Sequence, residues 1–280
     1  MSVFDAHVAR VAEYVSEMRG KGRPATEITV PSSVRGLEDG LPIRVGPGAN
    51  PRIILRGDTF VELGSPEAGS CGFVLWTDRP SLVRDGKITL LGPDIPEAPG
   101  TSLPFGQVLL VGGEALCSED HQSVGQTQYV ADQIEGYMLR SSSRSVWARV
   151  SKDAAARGFR FETLGRSLMM IFKSSLPKVN AMEIVFVTSG KGDLLPLDEI
   201  AREAHAIGDE IVREHWKARG YDLDCDLHCG SCTEKDVCDD LRKMVAARLR
   251  KAKKDGVSRT ARASSKTRRQ GAAPRRRTVG

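Results

Sequence analysis

Four of the six cysteines in this 280-residue chain fall within fourteen residues, in the spacing Cys225-x3-Cys229-x2-Cys232-x5-Cys238. Four soft ligands this close together, with Gly230 between two of them, fit a bound metal centre better than a disulfide framework in a reducing compartment. Zinc and a [4Fe-4S] cluster both accept four thiolates. Zinc ribbons and fingers use two separated Cys-x2-Cys knuckles, whereas one compact run of unequal spacings is more typical of a cubane cluster. Iron–sulfur is therefore the leading expectation and zinc the alternative. Four protein thiolates leave no iron open to a substrate, so the expected role is electron transfer or structure. A helix starting near Glu234, capped by Thr233, would set the positive end of its dipole against the cluster's charge. His228 is either a hydrogen-bond donor to a cluster sulfur or a solvated neighbour. Cys71 and Cys117, which stand alone in the body, are expected to be inert buried thiols. The first three cysteines of the run also spell the motif of radical enzymes that use S-adenosylmethionine. Those enzymes need a large barrel after it, and only 42 residues follow Cys238.

Charge is divided as unevenly as cysteine. The net +5 hides fifteen Lys and Arg against the single acid Asp255 from Leu241 onward, a tail of +14 on a body of −9. Beyond Lys254 large apolar residues are nearly absent, so residues 255–280 are expected to be disordered. That tail has no aromatic residue for stacking and no recognition fold, so contact with nucleic acid is expected to be non-specific at most. No run of eighteen apolar residues occurs, and the first ten residues lack the apolar stretch of a secretory signal. A cytoplasmic protein without a membrane partner is expected.

The spacing of Val3, Phe4, Val8, Val11, Tyr14, Val15 and Met18 predicts an amphipathic helix over 3–19, stopped by Gly20, Gly22 and Pro24. Gly-, Pro- and Ser-rich sequence then predicts an irregular layer to about Pro51. Strands are expected at 52–56, 59–63, 72–76, 87–91 and 107–111. A helix is expected over 129–139, a strand at 145–150, and a short helix capped by Ser151 and closed by Gly158. A helix over 162–175, a strand at 183–187 and a long helix from Leu197 to Trp216 complete the body. The pattern is that of an α/β fold, a mixed sheet with flanking helices, followed by a small cysteine-rich metal-binding segment and a disordered basic tail. The expected division is 1–50 helix and linker, 51–220 α/β domain, 221–254 four-cysteine segment with its helix, and 255–280 tail.

Four runs carry a family resemblance: Val61-Glu-Leu-Gly-Ser-Pro, Asp85-Gly-Lys-Ile-Thr-Leu-Leu-Gly-Pro-Asp-Ile, Ser102-Leu-Pro-Phe-Gly, and Val146-Trp-Ala-Arg-Val-Ser-Lys-Asp-Ala-Ala-Ala-Arg-Gly-Phe-Arg-Phe-Glu. Through them, residues 51–187 resemble the β subunit of the carbon monoxide dehydrogenase/acetyl-CoA synthase complex. The resemblance is to an α/β domain that lies just ahead of the synthase's nickel–iron–sulfur domain, and the cysteine run here follows in the corresponding order. The synthase spaces its cluster cysteines more widely and adds a Cys-Gly-Cys that holds nickel. This chain has no Cys-Gly-Cys, so no nickel site is expected, nor acetyl-CoA synthesis by this polypeptide alone.

In the synthase, a tryptophan in the stretch matching Val146-Trp147-Ala148 is associated with coenzyme A. The resemblance therefore implies a coenzyme A or acyl-CoA site at Trp147. Strand alternation independently puts Trp147 and Arg149 on one face, where an aromatic plane and a guanidinium can meet an adenine and a phosphate. Lys152 beside the helix start is a candidate phosphate anchor, and Arg157 and Arg160 add charge. The plainer alternative makes Trp147 a core or interface residue and these bases a solvated face. The expected function is that of an iron–sulfur redox or accessory subunit in acyl-CoA or one-carbon metabolism, working beside another protein subunit or redox partner. If it is an enzyme, it is an oxidoreductase or acyltransferase subunit. The alternatives are a zinc-stapled docking protein, or a β-subunit homologue active only with partners.

Overall fold

The computed structural model describes residues 2–31, 33, 53–127, 134–142 and 145–218. The four-cysteine segment, the helix expected from Glu234 and the basic tail lie outside the described residues. The described elements run α1 (Asp5–Gly20), β1 (Ala25–Thr29), β2 (Thr59–Leu63), β3 (Ser70–Thr77), β4 (Lys87–Leu91), β5 (Thr101–Leu103), β6 (Phe105–Gly112), α2 (His121–Thr127), β7 (Tyr137–Ser142) and β8 (Ser145–Ser151). They continue with α3 (Lys152–Ala156), α4 (Phe161–Ser175), β9 (Ala181–Val187) and α5 (Leu195–Ala218). The fold is mixed α/β with two sheets and flanking helices. A five-stranded sheet has the order β1-β4-β9-β6-β3, and a four-stranded sheet the order β5-β2-β8-β7.

The larger sheet is mixed, with β4 parallel to β9, β9 antiparallel to β6, and β6 parallel to β3. Its central strands are buried on both faces, which explains why they read as nearly continuous apolar runs such as Val108–Val111. Val8, Val11 and Val15 of α1 line, together with Leu110 and Val185, a cavity of about 290 Å³ on one face. On the other face Gly165 of α4 sits so close to Ile88 of β4 that a Cβ there would be 2.6 Å from its Cδ1. Phe161, Phe105 and Phe186 pack together on that side, with Phe161 and Phe186 centroids 5.0 Å apart.

The α4 N-terminus has no cap from its own neighbour, Arg160. Asp94 supplies the acceptor instead, taking hydrogen bonds from Phe161 N at 3.0 Å and Ile95 N at 2.6 Å. The family-like stretch Asp85–Ile95 is thus structural at both ends. Asp85 receives Lys173 Nζ at 2.7 Å and Met182 N at 2.9 Å.

Four expectations are corrected. Residues 53–55 form no strand, and Ile53 and Leu55 are largely exposed. Ala25–Thr29, inside the layer expected to be irregular, is an edge strand paired antiparallel to β4. It reads as polar because it is exposed, and it is held by Glu27, which pairs with Lys87 at 2.5 Å and with Arg19. The hydrogen bond from Lys87 holds the Glu27 carboxyl below the usual carboxylate range. Of the helix expected over 129–139, the described C-terminal part is instead strand. Gly136 turns with φ +76° and Tyr137 then pairs with Val150. The fourth is the helical segment Ser118–Thr127, which apolar periodicity did not announce.

Asp94→Ala removes the acceptor of two backbone donors and is expected to lower stability by about 1–2 kcal/mol. Urea unfolding would show this as a lower midpoint at unchanged slope, with Asp94→Asn, which still accepts, retaining most of the stability. An unchanged midpoint in the alanine variant would show that Asp94 does not cap α4.

Candidate functional site

Strand β8 alternates as its sequence requires. Val146, Ala148 and Val150 are fully buried, and Trp147 and Arg149 share the opposite, half-buried face. Directly across from Arg149 on β2 stands Glu62, and directly across from Trp147 on β7 stands Arg140. One Glu62 oxygen, Oε1, accepts from Trp147 Nε1 at 2.9 Å, Arg149 Nε at 3.3 Å and Arg149 Nη2 at 3.2 Å. The guanidinium carbon lies 4.5 Å from the centroid of the indole. The carboxylate therefore fixes the plane of the indole and neutralises the charge stacked on it.

Two further bonds tie this unit to the segment before β2. Arg149 Nη1 donates to the Ile54 carbonyl at 3.1 Å, and Lys152 Nζ donates to the Gly57 carbonyl at 2.7 Å. Ser151 caps α3 through Ala154 N at 3.1 Å, and Gly158 follows with φ +82°, both as its sequence predicts. Arg157 pairs with Glu135 at 3.4 Å, and Arg160 donates to the Phe159 carbonyl, so these two bases serve local contacts.

Trp147 and Glu62 open onto a cleft of about 750 Å³, whose wall also carries Arg56, Arg140, Ser65 and Ser102. Gly64 makes one corner. It has φ +71°, and a Cβ there would lie 2.3 Å from the Val146 carbonyl oxygen. Ser65 and Ser102 hydroxyls meet at 3.0 Å, and Lys191 reaches the carbonyls of Pro66 and Glu67 at 3.4 and 3.3 Å. Three of the four family-like stretches therefore converge on the cleft, through Val61–Pro66, Ser102–Gly106 and Val146–Lys152. A cavity of this size, with an aromatic plane, paired hydroxyls and arginines, is dimensioned for a small molecule carrying both an aromatic and an anionic group.

Of the sequence-predicted residues Trp147, Arg149 and Lys152, Trp147 lines the cleft, whereas Arg149 and Lys152 are not among its lining residues and bond to Glu62 and to the carbonyls of Ile54 and Gly57. Sequence reasoning missed Glu62, Arg56 and Arg140. Glu62 was visible only as the second residue of a family-like run, and Arg140 only once β7 is known to pair with β8. Among the described residues no group of three or more His, Cys, Asp or Glu is placed to hold a metal ion. Cys225, Cys229, Cys232, Cys238 and His228 lie outside the described residues. Cys71 is buried as expected, but Cys117 is exposed. Cys117 caps the turn Ser118–Asp120, its backbone N donating to Asp120 Oδ2 at 3.0 Å. The acid three residues on was the available signal. Among the described residues no helix is long and apolar enough to cross a membrane.

The sequence profile of the family described as the CO dehydrogenase/acetyl-CoA synthase complex beta subunit matches residues 41–192. The chain is 33% identical over 197 residues to the acetyl-CoA decarbonylase/synthase complex subunit beta 1 of Methanosarcina acetivorans, covering 69% of this chain and 40% of that protein. It is 30% identical over 230 residues to the corresponding beta subunit of Archaeoglobus fulgidus, covering 75% and 42%. It is 32% identical over 177 residues to the carbon monoxide dehydrogenase/acetyl-CoA synthase subunit alpha of Moorella thermoacetica, covering 62% and 24%. The chain spans about two fifths of the length of the first two of these relatives.

Glu62→Ala leaves the indole N–H and a half-buried guanidinium without their acceptor, and is expected to cost about 1–3 kcal/mol. Near-ultraviolet circular dichroism should weaken as the indole loses its fixed orientation, while Glu62→Gln, which still accepts, should keep most of the signal. Equal signals in the alanine variant and the parent would show that Glu62 does not orient Trp147.

Proposed function

The chain belongs to the family of the CO dehydrogenase/acetyl-CoA synthase complex beta subunit, and from that premise we propose that it binds coenzyme A or an acyl-CoA in the Trp147 cleft. In this reading it is an iron–sulfur redox or accessory subunit of acyl-CoA or one-carbon metabolism. The observation that carries the reading is the convergence of three family-like stretches on one cleft with Trp147 in its wall. The indole offers a plane for the adenine, held against rotation by Glu62. In the coenzyme site Trp147 supplies the stacking plane, Arg149 and Lys152 support it through Glu62 and the carbonyls of Ile54 and Gly57, and Ser65 and Ser102 add polar contacts.

Cys225, Cys229, Cys232 and Cys238 are the residues that would hold the cluster, since four thiolates within fourteen residues suit a [4Fe-4S] centre, with zinc as the alternative occupant. Such a cluster supplies one-electron transfer. The chain itself contributes the thiolates and the coenzyme cleft. The Cys-Gly-Cys that would hold nickel is absent from the sequence. The relatives are named as subunits of a complex, which supports a protein partner for this chain too. A cytoplasmic location accords with this reading.

Titration calorimetry of the full chain with coenzyme A is expected to show binding, and Trp147→Ala is expected to weaken it by tenfold or more, about 1.4 kcal/mol. Equal binding by parent and variant, or binding by neither, would overturn the coenzyme site. Anaerobic purification followed by iron, sulfide and zinc analysis is expected to give about four iron and four sulfide per chain. One zinc and no iron would replace the redox reading with that of a zinc-stapled docking protein.

A further inference from the structure

We propose that the cations recognising the anionic end of the ligand in this cleft are Arg56 and Arg140, and that Arg149 and Lys152 act as positioning residues that present Arg56. The inference deepens the coenzyme reading and rests on it for the identity of the ligand, though not for the chemistry recognised, which is a phosphate group.

Arg149 and Lys152 are already engaged within the protein. Arg149 directs Nε and Nη2 to Glu62, Nη1 to the Ile54 carbonyl, and a face to the indole, and its side chain is only 19% exposed. Three of its five N–H donors are thus engaged, the Nε–Nη2 pair is committed to Glu62, and Arg149 is not among the residues lining the cleft. Lys152 is similarly engaged with the Gly57 carbonyl at 2.7 Å. These carbonyls belong to one short segment, Ile54–Gly57, and the residue between them is Arg56. Ile54 is buried, which anchors the segment, and Arg56 opens the single helical turn Arg56–Asp58.

Arg56 and Arg140 are both exposed, line the cleft, and form no ion pair among the described residues. Arg140 stands directly across from Trp147 on the neighbouring strand, so it flanks the indole on one side as Glu62 and Arg149 hold it on the other. Of the acids on the wall, Glu62 is neutralised by Arg149, and Glu67 remains. A ligand whose ring lies on Trp147 therefore meets two unengaged guanidiniums, each able to grip a phosphate with two parallel donors.

The test uses the full chain and two probes, coenzyme A and inorganic pyrophosphate, in titrations at several salt concentrations. Arg56→Ala and Arg140→Ala are each expected to weaken both probes about tenfold and to flatten the salt dependence, because a screened charge pair is lost. Lys152→Met is expected to weaken binding while keeping the parent's salt dependence, and Arg149→Lys to weaken coenzyme A more than pyrophosphate, through the indole it supports. The inference is overturned if Arg56→Ala and Arg140→Ala bind both probes like the parent, or if Lys152→Met flattens the salt dependence as they do. Should the parent bind pyrophosphate through Arg56 and Arg140 but not coenzyme A, the coenzyme reading fails and the anion site stands. If the parent binds neither, both fail.

Discussion

The close seating of Val146 between two glycines fixes where everything in the cleft can stand. A Cβ on Gly72 of β3 would lie 2.3 Å from Val146 Cγ1, and one on Gly64 would lie 2.3 Å from the Val146 carbonyl oxygen. Only residues without side chains allow β8 to come this near, so the smaller sheet docks on the edge strand of the larger one at this point. With Val146, Ala148 and Val150 committed to the interface, strand alternation leaves Trp147 and Arg149 no choice of face. A half-buried guanidinium then needs a counter-charge, and Glu62, in register on β2, provides it.

The cleft is connected to the core through Lys191 and Asp193. Lys191, which holds the loop at Pro66 and Glu67, precedes a buried polar knot at Asp193. Asp193 accepts from Arg23 at 3.0 Å and from Ser189 at 2.6 Å, and its carbonyl accepts the Tyr14 hydroxyl at 2.8 Å. Burial pushes the Tyr14 hydroxyl well above its ordinary range, so it remains a donor at any physiological pH. The knot joins α1 to the start of α5, and Lys191, two residues before it, ties it to the cleft wall at Pro66 and Glu67. Glu62, Ser102, Arg140 and Trp147 are thus carried on strands, which hold geometry better than long loops do, and Arg56 sits in the helical turn just before β2.

What could be read from the sequence was whatever depended on local period. The strand at 87–91 has the expected limits, the helix from Phe161 starts one residue early, and the shared face of Trp147 and Arg149 followed from alternation alone. What could not be read was pairing. Ala25–Thr29 looks like linker until β4 lies beside it, and Tyr137–Leu139 has enough apolar character for a helix until Gly136 turns it against β8. Glu62 and Arg140 became site residues only through cross-strand register, a contact 85 positions apart in the case of Glu62 and Trp147. Even the bases that were singled out, Arg149 and Lys152, could not reveal that they hold the carbonyls of Ile54 and Gly57.

The cleft organised by Val146, Glu62 and Trp147 is the proposed seat of coenzyme A. Hydrogen-exchange mass spectrometry of the full chain, with and without coenzyme A, tests it without altering a residue. Slowed exchange is expected in peptides covering 54–67 and 137–152, with α1 and α5 unchanged. Protection confined to other segments, or none at saturating coenzyme A, would contradict it.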